Sequence, residues 1–154
     1  MNQRKSLKEL NLLDKFLFDE AMDDPENVKT MLDIILSQNT NLKHPPQTEK
    51  EQRTSTDNRQ IRLDVYAIDE DDVIYEAEAQ KENTHNLPKR SRLYQGIIDS
   101  KLLPPGVVDF KLSNEVLIVL IMPFDLFGYG LYRYTFQMKC EEVPELKLDD
   151  GATR

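Results

Sequence analysis

The chain has very little cysteine and histidine and has no long apolar run. Its 154 residues include one cysteine, Cys140, and two histidines, His44 and His85. One cysteine excludes an intrachain disulfide framework and a multi-cysteine zinc site, and two distant histidines weaken the case for a histidine-based zinc site. The longest apolar run, residues 116–122, has the length of a strand, whereas a membrane helix needs about 18 residues. Residues 1–10 lack the apolar segment of a signal peptide, so we expect a cytoplasmic protein without a membrane partner.

Acidic residues outnumber basic residues, 28 to 20, which gives a net charge of −8. DNA-binding proteins usually need Lys and Arg to neutralise phosphates, so this balance argues at first against nucleic acid. The excess is local, however. Residues 64–80 hold seven acidic side chains and no basic one, whereas residues 37–63 and 81–106 each carry a net positive charge. Because net charge describes the long-range field rather than a local site, the composition does not exclude DNA as a partner.

The first third of the chain has helical spacing of its apolar residues. It predicts two consecutive helices, at about residues 12–22 and 25–37. Asp24 suits the N-cap of the second helix and Pro25 its first position. Residues 38–60 are polar and predict a loop. Because a loop this long is unusual in a small domain, the alternative is that it contains a weak edge strand.

The middle and end of the chain alternate between strand and helix patterns. Residues 61–68 and 73–80 predict a β-hairpin around an acidic turn at residues 69–72. Residues 88–103 predict a helix in which Leu93, Ile97, Ile98 and Leu102 share a face. The following segments predict a buried central strand at 115–122 and an alternating strand at 131–137. This order favours one α/β or α+β domain over residues 1–154.

Basic side chains fill the first turns of the helix predicted at residues 88–103. They are Lys89, Arg90 and Arg92. The helix dipole favours anions at this end, so these residues do not help the helix to form. Their position indicates a role beyond helix stability.

Two carboxylates of the predicted hairpin are candidates for a metal site. Asp64 lies in the first strand and Glu78 near the end of the second, so the hairpin can bring them side by side. Paired carboxylates bind hard cations such as Mg²⁺ or Mn²⁺, and such a cation can activate water to hydrolyse a phosphodiester. Gln80 shares the strand face of Glu78, where it can orient a water molecule. The alternative interpretation is that these acidic residues are solvated surface and that Gln80 is a polar strand end.

The same hairpin resembles a known active site. The segment RLDVYAIDEDDVIYEAEAQ is similar to the catalytic hairpin of the PD-(D/E)XK nuclease superfamily, and most similar to its transposase branch, the recombination-promoting nuclease (Rpn) group. That branch has Gln in place of the usual Lys, giving a D…ExQ motif, which here is Asp64…Glu78-Ala79-Gln80. Four other segments resemble the branch in the same order: NLLDKFLFDEAMDDPENVKTMLDIIL, LPKRSRLYQGIIDSKLLPPG, IMPFDLFGYGLYRYTF and LKLDDGATR.

The resemblance implies a restriction-endonuclease-like core, in which helices flank a mixed β-sheet and Mg²⁺ (or Mn²⁺) is the cofactor. The implied metal ligands are Asp64, Glu78, the backbone carbonyl of Ala79 and, on the first helix, Glu20. Gln80 would stand where Lys positions the attacking water, but it carries no charge and cannot deprotonate. Water activation would therefore depend more on the metal. For Glu20, a solvated helix residue is the alternative interpretation.

The resemblance also implies DNA contacts. Arg90 and Tyr94 are four residues apart, hence on one helix face, and are expected to reach phosphate. Arg62 and Lys89 are the further DNA-binding candidates, and core packing with a surface hydroxyl is the alternative for Tyr94. Family members continue beyond a segment like DGATR, so residues 139–154 are interpreted as the start of a C-terminal part that this sequence lacks.

Three functions remain open at this point. The first is a Mg²⁺-dependent DNA endonuclease of the transposase and recombination-promoting type, associated with mobile elements and DNA recombination. The second is a catalytically inactive or truncated remnant that binds DNA or protein. The third is a plain interaction module. DNA is the expected partner, and a homodimer is a further hypothesis.

Overall fold

The computed structural model describes residues 11–52 and 61–154. The predictions for residues 1–10 and for the 53–60 part of the polar loop lie outside the described residues. The described helices are α1 (Lys15–Met22), α2 (Pro25–Leu36) and α3 (Leu87–Asp99), with a 3₁₀ turn at Phe110–Leu112. The strands are β1 (Gln47–Gln52), β2 (Ile61–Ile68), β3 (Ile74–Ala79), β4 (Val116–Ile121) and β5 (Ala152–Thr153). The mixed α/β class is confirmed.

The strands form one mixed sheet in the order β1-β2-β3-β4-β5. The β1–β2 and β2–β3 pairs are antiparallel, so the predicted hairpin and the edge strand are confirmed. The β3–β4 and β4–β5 pairs are parallel. Two parallel neighbours need a crossover connection, and α3 provides it between β3 and β4.

Helices cover both faces of the sheet. Tyr94, Ile97 and Ile98 of α3 pack with sheet residues in one apolar cluster, and Phe18 and Leu32 of α1 and α2 pack in a second cluster. Successive strand residues point to opposite faces, so β4 contributes alternately to both clusters. This explains the uninterrupted apolar run of β4 and confirms it as a strand enclosed on two sides.

The helix boundaries in the N-terminal third follow their capping residues. The carboxylate of Asp24 accepts the backbone N–H of Glu26 at 3.0 Å, and Pro25 is the first helical residue, as predicted. Ser37 ends α2 with a φ of 57°. In the described part of the chain, no helix is long and apolar enough to cross a membrane.

In the second half of the chain, the strand predicted at residues 131–137 is wrong, whereas the helix predicted at residues 88–103 is confirmed as α3 except at its C-terminal end. Residues 131–137 form no strand. The Tyr134 hydroxyl accepts the N–H groups of Tyr129 and Leu131, and Asp125 accepts that of Gly130, so these bonds stabilise a turn at the start of the segment. Farther along the segment, Phe136 exchanges both backbone hydrogen bonds with Arg154. The helix predicted to residue 103 ends at Asp99. Within it, Leu93 is 40% exposed and does not belong to the buried face.

Candidate functional site

The candidate site lies at the end of the β2–β3 hairpin that is opposite to its acidic turn. The antiparallel register ends with the pair Val65↔Ala77, and Asp64 and Glu78 are the next residues on the two strands. Directly opposite residues of antiparallel strands have Cβ atoms about 5 Å apart, so the two carboxylates are neighbours. Their side chains are not solvated surface, because Asp64 is 7% exposed and Glu78 is 9% exposed.

The alternation of β2 is interrupted at Asp64. Leu63 and Tyr66 belong to the same apolar cluster under α3, although an odd spacing of three places strand residues on opposite faces. The β1–β2 register omits the pair between Asp64 and Glu49, and Glu49 has a φ of 49°. The Asp64 carboxylate is also within hydrogen-bond distance of α1, through Lys15.

Lys15 of α1 contacts Asp64. Its Nζ lies 2.7 Å from Asp64 Oδ1 and 3.3 Å from Asp19 Oδ2. Burial alone would lower the pKa of Lys15, but the hydrogen bond to Asp64 and the charges of Asp64 and Asp19 raise it overall. The ammonium therefore stays charged and neutralises Asp64. A second ion pair, Lys81 with Asp14, holds the chain after β3 against the start of α1.

Arg90 joins the second strand of the hairpin to α3. Its Nη2 donates to Glu78 Oε1 at 2.5 Å and also to Gln80 Oε1. The Gln80 Nε2 donates to the carbonyl of Glu82 at 2.6 Å, so both ends of the Gln80 amide are held. The guanidinium carbon of Arg90 is 5.9 Å from the ring centre of Tyr94. These contacts account for a basic residue in the first turn of α3, where the dipole does not favour it.

Burial changes the protonation of Glu78 and Tyr94. It raises the pKa of Glu78 to about 7; the charge of Arg90 opposes this shift and that of Asp64 adds to it. Burial, followed by the charge of Glu78, raises the pKa of Tyr94 to about 12. Glu78 therefore exchanges a proton near neutral pH, and Tyr94 keeps its proton and remains a donor.

Glu76 is a third carboxylate of the site. It lies two residues before Glu78 on the same strand face and is 0% exposed. Neither of its carboxylate oxygens has a hydrogen-bond partner. Burial, followed by the charges of Glu78 and Asp64, raises the pKa of Glu76 well above its usual range. An isolated buried carboxyl of this kind is unfavourable unless it is protonated, paired or bound to a cation.

The predicted site residues divide into two groups. Asp64, Glu78, Gln80, Arg90 and Tyr94 come together. Tyr94 is also a core residue, because only 8% of it is exposed. Its ring can therefore pack in the core while its hydroxyl belongs to the site.

Three of the remaining predicted residues lie apart from this cluster: Glu20 and Lys89 are exposed, and Arg62 is exposed and pairs with Glu49 at 3.2 Å. Ala79 lies between Glu78 and Gln80 at the end of β3, where it is half-buried beside Ile121 of β4. The α1 carboxylate that interacts with Asp64 is Asp19, one residue before Glu20.

Sequence reasoning missed three members of the site. Glu76 had a usable signal, because its spacing of two from Glu78 places both on one strand face. Lys15 and Asp19 had none, because Lys15 is 49 residues from Asp64 and only the packing of α1 on the sheet brings them together.

The carboxylate oxygens of the site are of the type that binds a hard divalent cation, but they are not arranged to hold one. Within residues 11–52 and 61–154, no three His, Cys, Asp or Glu side chains are placed to hold a metal ion. Lys15 and Arg90 pair with Asp64 and Glu78 instead. The second oxygen of Glu78, Oε2, is buried, and a hydrogen bond from the Tyr94 hydroxyl acts on this carboxylate and lowers its pKa. Asp64 and Glu78 are thus the residues that would hold Mg²⁺ or Mn²⁺, through oxygen ligands that these ions prefer.

Surface cavities lie at the other end of the hairpin, beside its acidic turn at residues 69–72. One of about 660 Å³ is lined by residues 71–73 and 112–115, and another of about 420 Å³ by residues 38–41 and 69–71. Their walls are mainly polar turn residues, and the ion pair there, Lys43 with Asp72, is exposed, whereas Asp64 and Glu78 are buried. The chemistry therefore points to the Asp64–Glu78 end as the functional end.

Comparison with known proteins does not identify a relative. No family model, curated protein or solved structure matches this chain. The function is accordingly argued from the residues and the geometry of the site.

Proposed function

We propose that this chain is a metal-dependent DNA endonuclease of the PD-(D/E)XK type, resembling the recombination-promoting transposase branch. The observation that carries the proposal is the buried adjacency of Asp64 and Glu78 at one end of the hairpin, with Gln80 linked to Glu78 through Arg90. A surface hairpin would leave these carboxylates solvated. Here each is buried and held by a basic side chain.

The fold is compatible with a restriction-endonuclease-like core. Such a core places its D…ExQ residues on neighbouring strands of a mixed sheet between helices. The five-stranded mixed sheet with α1 and α2 on one face and α3 on the other has this organisation. We therefore retain this finer fold assignment as part of the proposal.

Bound Mg²⁺ or Mn²⁺ would polarise the scissile phosphate and lower the pKa of a water molecule. The chain's own residues supply the rest. Asp64 and Glu78 provide the negatively charged oxygens for the cation. Arg90 provides a guanidinium that can donate two parallel hydrogen bonds to phosphate oxygens. Tyr94 provides a hydroxyl that stays protonated, since its pKa is raised to about 12.

Lys15 supplies the positive charge that Gln80 lacks. The Gln80 amide is neutral and is held by Arg90 and by the carbonyl of Glu82, which fixes its orientation. The Lys15 ammonium, bound to Asp64, is the cationic side chain on the α1 side of the same carboxylate pair. Gln80 therefore acts as an orienting group, and Lys15 and Arg90 carry the charge that faces a phosphate.

A plasmid-nicking assay tests the proposal. We expect the purified chain to nick supercoiled plasmid with Mg²⁺ or Mn²⁺ and to lose this activity in EDTA. Asp64→Asn and Glu78→Gln keep the side-chain volumes but remove a metal-binding charge, so both should abolish nicking. Glu70→Gln, at an exposed residue of the hairpin turn, is the matched control and should nick normally. Undiminished nicking by the two site variants would refute the assignment.

A second candidate function is a DNA- or protein-binding remnant without catalysis. The observation that favours it is that Lys15 and Arg90 form ion pairs with Asp64 and Glu78, the two carboxylates that a metal would need. This candidate predicts that Mn²⁺ leaves the melting temperature unchanged, whereas a cation that binds the folded chain must raise it. A thermal melt with and without Mn²⁺ therefore separates the two functions before any activity is measured.

A further inference from the structure

Lys50 of β1 is a half-buried cation that the proposed mechanism leaves unused. Its Nζ lies over the ring of Tyr66, 3.5 Å from the ring centre. Tyr66 belongs to the apolar cluster under α3, so the Lys50 side chain lies on the α3 side of the sheet. The negative face of an aromatic ring attracts a cation, and this attraction holds the ammonium in place.

The charge that acts on Lys50 is that of another cation. Burial, followed by the positive charge of Lys101, lowers the pKa of Lys50, and within the described ranges no carboxylate opposes this shift. Lys15 differs, because Asp64 and Asp19 raise its pKa overall. Two ammonium groups that repel each other, one on β1 and one directly after α3, form a surface that an anion would stabilise.

The acidic residues that are close to these lysines in the sequence point elsewhere. Glu49 acts on the pKa of Asp19 of α1, so it lies on the opposite side of the sheet. Glu51 directly follows the lysine of β1, and the alternation of a strand turns it to the opposite face. Asp99, near the end of α3, accepts a hydrogen bond from Gln95 at 2.9 Å. The two lysines therefore keep a positive charge that their sequence neighbours do not offset.

The lysine pair lies beside the candidate site rather than in it. Lys50 pairs with Leu63, the residue before Asp64, on the neighbouring strand. Arg90 and Lys101 are eleven residues apart along α3 and the turn that follows it, which is about 16 Å at 1.5 Å per residue. One strand of a DNA duplex carries a phosphate about every 3.4 Å of the helix axis, so this distance spans about five nucleotides. A DNA strand with one phosphate at Arg90 can thus reach the lysines with another.

We propose that Lys50 and Lys101 bind backbone phosphates of DNA, about five nucleotides from the bond that is cut. This inference rests on the proposed nuclease function and adds a DNA contact outside the D…ExQ motif and its adjacent basic residues. It places the DNA on the α3 side of the sheet. The α1–α2 side is the poorer surface for a polyanion, because residues 11–36 hold seven acidic and two basic side chains.

The salt dependence of DNA binding tests the two lysines. We would measure the affinity of the whole chain for a labelled duplex by fluorescence anisotropy in Ca²⁺, at salt concentrations from about 50 to 200 mM. Each lost phosphate contact should lower the slope of log affinity against log salt by about 0.9. We therefore expect Lys50→Gln and Lys101→Gln each to weaken binding and to lower the slope. Lys50→Arg keeps the charge and should retain the wild-type slope.

Lys43→Gln is the matched control, because Lys43 is exposed beside the acidic turn, pairs there with Asp72 at 2.6 Å, and loses the same charge. Its slope should equal that of the wild type. A wild-type slope in either Lys50→Gln or Lys101→Gln, or an equal fall in Lys43→Gln, would overturn the inference and leave the nuclease proposal intact. If the wild type bound no DNA, the nuclease proposal itself would fail. The slope is independent of the fraction of a variant that is folded, so partial unfolding cannot imitate the expected result.

Discussion

Burial changes the chemistry of individual side chains at the end of the hairpin. Asp64, Glu76 and Glu78 each have less than a tenth of their surface exposed, although the 17-residue segment that contains them is the most acidic of the chain. Exposed acidic residues would repel one another only weakly in water, whereas buried ones interact at lower dielectric. The segment therefore behaves as a site with shifted protonation rather than as a solvated turn.

The stability of the metal-free protein should depend on Glu78. Its pKa is raised from 4.5 to about 7, so the folded state binds a proton that the unfolded state has already lost between these values. The free energy of unfolding should fall as pH rises from about 4.5 to 7, by an amount on the order of 3 kcal/mol, and then level off. We expect Glu78→Gln to remove this part of the pH dependence.

Urea titrations in EDTA at several pH values measure this effect. The quantity to compare is the difference in unfolding free energy between wild type and Glu78→Gln, because the other carboxylates contribute to both proteins. As pH rises from 4.5 to 7, the wild type should lose stability relative to Glu78→Gln. A constant difference across this range would show that Glu78 has an ordinary pKa.

The hairpin is the element on which the site depends, and one aspartate holds its turn. Asp69 is buried and accepts the N–H groups of Asp71 at 3.0 Å and Val73 at 2.9 Å. It also accepts the hydroxyl of Tyr75 at 2.6 Å, and this bond is the first cause, after burial, of the raised pKa of Tyr75. The turn thereby fixes the register that places Asp64 opposite Glu78.

Replacing Asp69 should destabilise the hairpin. Asp69→Ala leaves the buried hydroxyl of Tyr75 without an acceptor, which costs about 1–3 kcal/mol. Tyr75→Phe removes the donor as well as the need for an acceptor, so in the Asp69→Ala background it should recover part of the loss. Chemical denaturation of the two single variants and the double variant gives the coupling energy. Strictly additive effects would show that the bond contributes nothing to stability.

Element prediction succeeded where apolar spacing and capping residues agreed. The helices α1 and α2, the β2–β3 hairpin and the central strand β4 follow from periodicity together with Asp24, Pro25 and the acidic turn. The strand predicted at 131–137 failed because its alternating aromatic pattern is also compatible with a turn. At the start of the segment, the oxygens of Asp125 and Tyr134 accept the backbone N–H groups of Gly128, Gly130 and Leu131.

At the scale of the whole molecule, the charge distribution bears on the proposed DNA partner. The net charge of −8 repels a polyanion at long range, whereas Lys15 and Arg90 place positive charge beside the carboxylates of the candidate site. A bound divalent cation would remove two negative charges from the place where phosphate must approach. DNA affinity should therefore depend on the cation more than on the protein's own basic residues.

Binding to a short DNA duplex tests this dependence. We expect weak binding in EDTA and tighter binding with Ca²⁺, and in both cases the affinity should fall as salt rises from about 50 to 200 mM, because phosphate contacts release counterions. Fluorescence anisotropy of a labelled duplex measures both effects. Glu78→Gln serves as the control, since it should bind DNA equally with and without Ca²⁺. Wild-type affinity that is the same in EDTA and Ca²⁺ would contradict the expected role of the cation.

The order of the main helices and strands and the candidate pair Asp64 and Glu78 can be predicted from the sequence, because periodicity, caps and turn residues are local signals. The side chains that surround that pair depend on how distant elements pack together. Lys15 and Asp19 reach it because α1 packs on the sheet, and Arg90 reaches it because α3 crosses between β3 and β4. Burial, which depends on all these elements together, then gives Glu76 and Glu78 protonation behaviour that no local pattern records.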